Sequence, residues 1–397
     1  MKLKTIDKKD LREIIQSGHI NFLIGSGCSS GYLPMLGDIE KRMNDPATEE
    51  DSKKQYLAII NKSKAILDEN RETDQSEKAN LLKTKKAYGD FLNFWLETLS
   101  RRALPIVNKQ INVFTTNFDM FIEDACESSS IPYNDGFSGQ IKPEFDPANF
   151  NRIQKYKTLQ FDNISDFPLF NIVKLHGSLS WEATTDKTIV YSQGDHIKDN
   201  LGTLSGSAFL DEYKSQVAVI NPNAEKHYET VLDIRHAALL RKFTLELEKE
   251  NSILFVFGTS LGDGHIKHLL DTVMRTNPTL IVLYFSFSPY QTDRLGEKKY
   301  PNLYVVYPDL KIESFDAVFG SESRHQWESF VVDPNAEKIE PVDEIKTRLH
   351  EISEDTDEGI ELKNKLKSIF EFTFEKNTEF LMEIFQKKVV DNEQREI

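Results

Sequence analysis

The chain has 397 residues, which at about 150 residues per domain leaves room for one large α/β domain with added segments, or for two domains. Its 39% apolar and 28% charged residues belong to a chain able to bury a real core, which excludes disorder as the main state. A formal net charge of −15, from 64 acids against 49 Lys and Arg, has the wrong sign for a broad face that neutralises phosphates, so direct nucleic-acid binding is disfavoured.

Residues 9–17 pattern as a short helix ending at Gly18, and HINFLI (19–24) is a continuous apolar run, the mark of a strand buried on both faces. Beyond Gly25, the residues Met35, Leu36, Ile39 and Met43 recur at helical spacing. Residues 19–43 therefore read as strand, glycine-rich loop and helix, half of a parallel nucleotide-binding unit. The charged segment 46–103, nearly free of Gly and Pro, predicts a helical insertion with apolar stripes at Tyr56, Ile59, Ile60 and at Phe91, Phe94, Trp95, Leu99. INVFT (111–115) is a second buried strand, with a helix over 118–126. NIVKL before His176, SILFVF before Gly258, TLIVLYF (279–285) and NLYVVY (302–307) predict four more. The fold class expected is α/β, a Rossmann-like, mostly parallel sheet flanked by helices. The polar stretches 130–170 and 180–225 exceed ordinary loops and read as functional lids. From 341 onward 15 acids face nine Lys or Arg, and Leu362, Leu366, Ile369, Phe370, Leu381, Ile384 and Phe385 share one stripe, so 336–397 reads as an acidic helical appendage.

Four polar clusters stand at predicted strand ends, where open parallel sheets bind ligands. In GSGCSSG (25–31), the residues Gly25, Ser26, Gly27 and Ser29 form either a cradle for a pyrophosphate or a tight ligand-free turn. In TTNFD (115–119), Asn117 and Asp119 either serve a site or only cap the following helix. In KLHGSLSW (174–181), His176 taken alone reads more readily as structural than as catalytic. FGTSLGDGHI (257–266) offers Gly258, Thr259 and Ser260 for ribose or phosphate, or a bare turn, while Asp263 and His265 read as the cap and start of a helix. Trp181 reads as a packing anchor. With two cysteines, Cys28 and Cys126, the chain builds neither a disulfide framework nor a four-thiolate zinc site, and a reducing, cytoplasmic setting is expected. No spacing of His, Cys, Asp and Glu marks a metal site, and no apolar run approaches the roughly 20 residues of a bilayer span, so no membrane is expected.

As an ordered set, Gly25-Ser26-Gly27-x-Ser29, then Thr115-x-Asn117-x-Asp119, then His176-Gly177, then Gly258-Thr259-Ser260, the sequence resembles the sirtuin-like family. NDGFSG (134–139), LHGSLSW and GTSLGDGHI resemble its bacterial anti-phage defence branch more narrowly. The resemblance spans about 19–310. It implies an NAD-binding catalytic domain over 1–335 in which NAD+ is the substrate and the nicotinamide–ribose bond is cleaved. Asn117 would then orient the ribose or the attacking water, and His176 would act as general base. Asp119 would hold the ribose or the nicotinamide amide. Thr115 belongs to the same motif, the loop at 25–29 would lie on the pyrophosphate, and Thr259 and Ser260 on the adenosine side. Residues 285–288 would border the adenine. Protein deacylases of the family carry a four-cysteine zinc ribbon that two cysteines cannot supply, so no zinc is expected. GYLPM (31–35) also lacks the Asp and Arg that deacylases carry after the first loop. Both departures favour hydrolysis of NAD+ to nicotinamide and ADP-ribose over deacylation or ADP-ribosyl transfer, and retention of Asn117 and His176 favours chemistry over a binding-only scaffold. The resemblance further implies a homo-oligomer and, in some relatives, a HerA-type ring ATPase as partner.

Overall fold

A computed structural model describes residues 8–306, apart from single residues and short gaps within 36–46, 103–106, 158–163, 185–187, 195–202 and 210–211 and the longer stretches 213–233 and 286–299. It also describes 373–382 apart from 380. Within these, α1 (Lys8–Ser17) leads into β1 (His19–Ile24), and a 3₁₀ turn follows at Ser26–Ser29. Two helices, α2 (Glu49–Ser63) and α3 (Gln75–Ser100), precede β2 (Gln110–Thr115) and α4 (Phe121–Ser128). Short strands β3 (Tyr133–Asn134), β4 (Phe137–Ser138), β5 (Glu144–Phe145), β6 (Lys155–Lys157) and β7 (Ile164–Asp166) lead to β8 (Leu169–Lys174), β9 (Trp181–Ala183) and β10 (Ile189–Tyr191). The chain then runs through α5 (Ile234–Glu248), β11 (Ser252–Phe257), α6 (Gly264–Thr276), β12 (Ile281–Phe285) and β13 (Leu303–Val306).

Seven strands form the central sheet in the order β13-β12-β11-β1-β2-β8-β3, and every neighbouring pair is parallel. The order reverses at β1: the chain steps one way to β2 and β8, then returns to β11 on the other side. This is the doubly wound arrangement whose crevice lies at the carboxyl ends of the two strands flanking the reversal. The expected α/β Rossmann-like class is observed, and all six strands read from apolar runs are present.

Strand residues alternate between two buried layers, because successive side chains point to opposite faces. Phe22 and Phe255 pack with Phe91 and Trp95 of α3 on one face, at ring distances of 4.9–6.4 Å. Leu23, Phe114 and Leu254 meet Leu239, Phe243 and Leu247 of α5 on the other. The segment 46–103 is thus helical as expected, yet it is a covering layer of the sheet rather than an addition to a finished fold. On the face covered by α5, a row of asparagines crosses four strands at matched register. Asn112 donates to Asn21 at 2.9 Å, Asn171 to Asn112 at 2.9 Å and Asn134 to Asn171 at 3.3 Å.

The stretch 130–170 and the start of 180–225, expected as lids, contain a small antiparallel sheet in the order β4-β5-β10-β9. Trp181 anchors it as expected, its ring 4.4 Å from that of Phe145. The helix expected after the first loop falls mostly outside the described residues, although Ile39 and Met43 are buried. Of the acidic appendage, Phe374 and Leu381 are buried in the main core, with Phe374 5.1 Å from both Tyr88 and Phe91. The remainder of 336–397 lies outside the described residues. Among the described residues no helix is long and apolar enough to cross a membrane.

Candidate active site

The loops after β1 and β11 touch backbone to backbone. Gly25 donates its N–H to Phe257 O at 2.9 Å, and Gly27 donates to Gly258 O at 2.8 Å. A Cβ at Gly25 would lie 2.6 Å from Gly258 O, and one at Gly27 2.8 Å from it. Gly258 itself has φ +61°, and its Cβ would lie 2.5 Å from Cys28 N. These glycines are therefore required by the contact between the two loops, whatever a ligand adds. Ser26, Gly27, Gly258 and Thr259 are half-buried and Ser260 is exposed, so this paired turn forms a rim. Thr259 O accepts from the Tyr284 hydroxyl at 2.7 Å, and Thr259 Oγ1 accepts from Leu261 N–H at 3.0 Å.

The loop after β2 lies below the rim. Thr115 Oγ1 donates to Ile24 O at 2.9 Å and accepts the Asn117 N–H at 3.0 Å, tying β2 to β1 while setting the Asn117 backbone. Asn117 Nδ2 donates to Gly25 O at 3.1 Å and to Ser29 Oγ at 3.4 Å. Its other amide atom, Oδ1, is buried without a hydrogen-bond partner. Ser29 donates to Asp119 Oδ2 at 2.8 Å and lies 2.9 Å from the Tyr88 hydroxyl. Since Ser29 has spent its one proton on Asp119, Tyr88 is the donor of that second bond.

Asp119 Oδ1 accepts the N–H of Phe121, the first residue of α4, at 3.2 Å, and its other oxygen holds the first loop through Ser29. Burial raises the Asp119 carboxyl above its ordinary range, opposed by the positive charge of Lys174. Lys174, itself buried, ion-pairs with Glu123 at 3.1 Å and donates to Asp119 O. Burial likewise raises the Tyr88 phenol and the Cys28 thiol, which keeps Cys28 a protonated, unreactive packing group.

His176 lies in the turn after β8, followed by Gly177 at φ +84°. Leu175 N–H to Thr115 O (2.8 Å) and Leu179 N–H to Phe118 O (2.9 Å) lock this turn against the Asn117 loop. The His176 ring meets one that spacing had assigned to a helix start: His176 Nε2 and His265 Nε2 are 3.0 Å apart, and both rings are buried. Asp263 occupies the N-cap position of α6 as expected, but its side chain makes no cap hydrogen bond. His176, Asp263 and His265 each present a ligand atom within 4.8 Å of the others. Sequence spacing marked no metal cluster because His176 and the other two follow strands separated in the sheet by β1 and β2. Tyr88, Lys174 and Glu123 were also missed. Each sits in an apolar helical or strand pattern, where only the tertiary neighbours give its polar atom a purpose.

Gly25, Ser29, Thr115, Asn117 and Asp119 thus form one hydrogen-bonded network, Gly27 and Gly258 close the loop contact, and Ser26, Thr259 and Ser260 line the rim. Phe285 packs against Phe257 at 4.5 Å, whereas 286–288 lie outside the described residues.

Comparison with known proteins gives a match of residues 111–304 to the family profile described as SIR2-like domain. No curated protein matches the chain. Among solved structures, the chain is similar to a Sir2 homolog in complex with NAD, at 14% identity and TM-score 0.39, covering 77% of this chain and 90% of that one. It is also similar to a Sir2 enzyme determined in a study of mechanism and regulation, at 12% identity and TM-score 0.36, covering 75% and 91%.

Proposed function

We propose that this protein is an NAD+ glycohydrolase that breaks the nicotinamide–ribose bond to release nicotinamide and ADP-ribose. The observation that carries the reading is Asn117. Its Nδ2 is held by Gly25 O and Ser29 Oγ, and its buried Oδ1 has no partner at the carboxyl edge of a doubly wound sheet. A buried acceptor left unpaired costs about 1–3 kcal/mol, a cost recovered when a ribose hydroxyl or a water donates to it. The SIR2-like match over 111–304, which includes Asn117 and His176, supports NAD+ as the molecule that brings that donor.

The C–N bond to nicotinamide breaks with its electron pair going to the pyridine nitrogen, leaving a ribosyl oxocarbenium ion. Water oriented by Asn117 Oδ1 attacks it, and His176 takes the water's proton. Asp119 acts through the loop: by holding Ser29 it keeps Gly25 and Asn117 in register. Thr115 sets the Asn117 backbone, and the rim residues Ser26, Gly27, Gly258, Thr259 and Ser260 receive the pyrophosphate and adenosine side. Two cysteines in 397 residues supply no four-thiolate zinc ribbon, which favours hydrolysis over deacylation. From the same resemblance we infer a role in anti-phage defence by NAD+ depletion, gated by assembly with further copies or with a HerA-type ring ATPase.

The test is incubation of pure protein with NAD+, following nicotinamide and ADP-ribose with and without an acyl-lysine peptide. Peptide-independent release of both products is expected. Asn117→Ala and His176→Ala should each lose about 10²- to 10⁴-fold in rate while circular dichroism is unchanged. Release that requires the peptide would reassign the protein to acyl transfer.

A further inference from the structure

His176 follows β8 and His265 follows β11, strands with β1 and β2 between them, which at about 4.8 Å per strand are roughly 14 Å apart. Their imidazoles nevertheless meet at 3.0 Å, so the two loops arch over the ends of β1 and β2 to join above the Asn117 network. Asp263 stands two residues before His265 at the N-cap position of α6, half-buried beside the exposed Gly262, and makes no side-chain cap hydrogen bond.

We propose that His176, His265 and Asp263 form a binding site for one divalent transition-metal ion of the zinc class. The distances carry this. Two ligands about 2.0–2.1 Å from a common ion are roughly 2.8–3.4 Å apart at angles between octahedral and tetrahedral. The two Nε2 atoms are already at 3.0 Å, and the third donor lies within 4.8 Å. The bond between the two rings requires one Nε2 to carry a proton and the other a lone pair. A metal replaces that proton, the protonated ring passing its hydrogen to Nδ1, and then both lone pairs are used. The donor set also selects the ion. Two imidazole nitrogens and one carboxylate suit Zn²⁺, Co²⁺ or Ni²⁺, whereas Mg²⁺ and Ca²⁺ prefer all-oxygen shells. Three protein ligands leave a fourth position for water or another small ligand.

A consequence rests on the hydrolase reading above: the Nε2 lone pair that binds metal is then not available to take a proton, so a bound ion inhibits NAD+ turnover. Metal occupancy and catalysis at His176 exclude one another.

The site is tested by titrating the full, tag-free, metal-free chain with Co²⁺ and reading its visible d–d absorption, then displacing it with Zn²⁺. One Co²⁺ per chain is expected. His265→Ala should abolish the band, Asp263→Asn should weaken binding at least 10-fold, and Asn117→Ala should leave it unchanged. Should His265→Ala fail to fold, Asp263→Asn and His265→Gln carry the comparison. Absence of stoichiometric Co²⁺ binding, or binding equally tight in Asp263→Asn and the His265 variants, overturns the site. In parallel, Zn²⁺ should inhibit NAD+ turnover of the parent chain. Lack of any NAD+ turnover, with the Co²⁺ band and its variant pattern intact, defeats the hydrolase reading and leaves the metal site standing.

Discussion

Gly258 holds a left-handed backbone directly against Cys28 N, and Gly25 and Gly27 face it from the opposite loop. A glycine-rich stretch between strand and helix invites a ligand explanation, yet here the carbonyl of Gly258 and the N–H of Gly27 meet each other at 2.8 Å. Any side chain at 258 has both an unfavourable φ and a collision with backbone that cannot rotate away. Gly258→Ala should therefore lower stability by about 2 kcal/mol, seen as a shift of the urea midpoint at unchanged slope. An unmoved midpoint would mean that the two loops are not in contact in solution. Asn117 depends on this arrangement, because Gly25 O is the acceptor that fixes its amide.

At the scale of elements, α3 determines whether the long helical segment is a removable addition or a wall of the domain. Its Trp95 is fully buried with ring distances of 4.9 Å to Phe22 and 5.2 Å to Phe255, contacts reaching two adjacent sheet strands. Its Tyr88 hydroxyl reaches Ser29 in the site. Trp95→Ala should thus cost about 3–5 kcal/mol, measured by thermal or urea unfolding, whereas a decorative helix would tolerate the change with less than about 0.5 kcal/mol. The two strands pack against α3 through aromatic residues in a period-2 pattern, so a helix over this face is needed to keep them from water.

For the whole molecule, the question is what the C-terminal stripe covers. Phe374 lies among Tyr88, Phe91 and Phe257, and Glu375 pairs with Lys83 of α3 at 3.3 Å, so this part of the tail closes the same layer that α3 builds. Phe374→Ala should lower stability by about 3 kcal/mol while leaving the particle mass in light scattering unchanged. A change in mass at unchanged stability would instead assign Phe374 to a contact between copies.

Six of the seven strands of the central sheet are legible in the sequence alone, because strands buried on both faces of a parallel sheet are continuous apolar runs. HINFLI, INVF, NIVKL and SILFVF stand out for that reason alone. The sequence also places polar and glycine residues at four such run ends, and the parallel order of those strands gathers them at one edge of the sheet. Contacts between segments distant in sequence appear only in the folded chain: Gly27 against Gly258, Asp119 holding Ser29, the asparagine row across four strands, and His176 beside His265. Hydrophobic burial is written along the chain with a local period. A hydrogen bond between two loops has no such period, because its partners are chosen by how the strands are ordered in the sheet, which is why His265 looks from its own neighbours like the first turn of an ordinary helix.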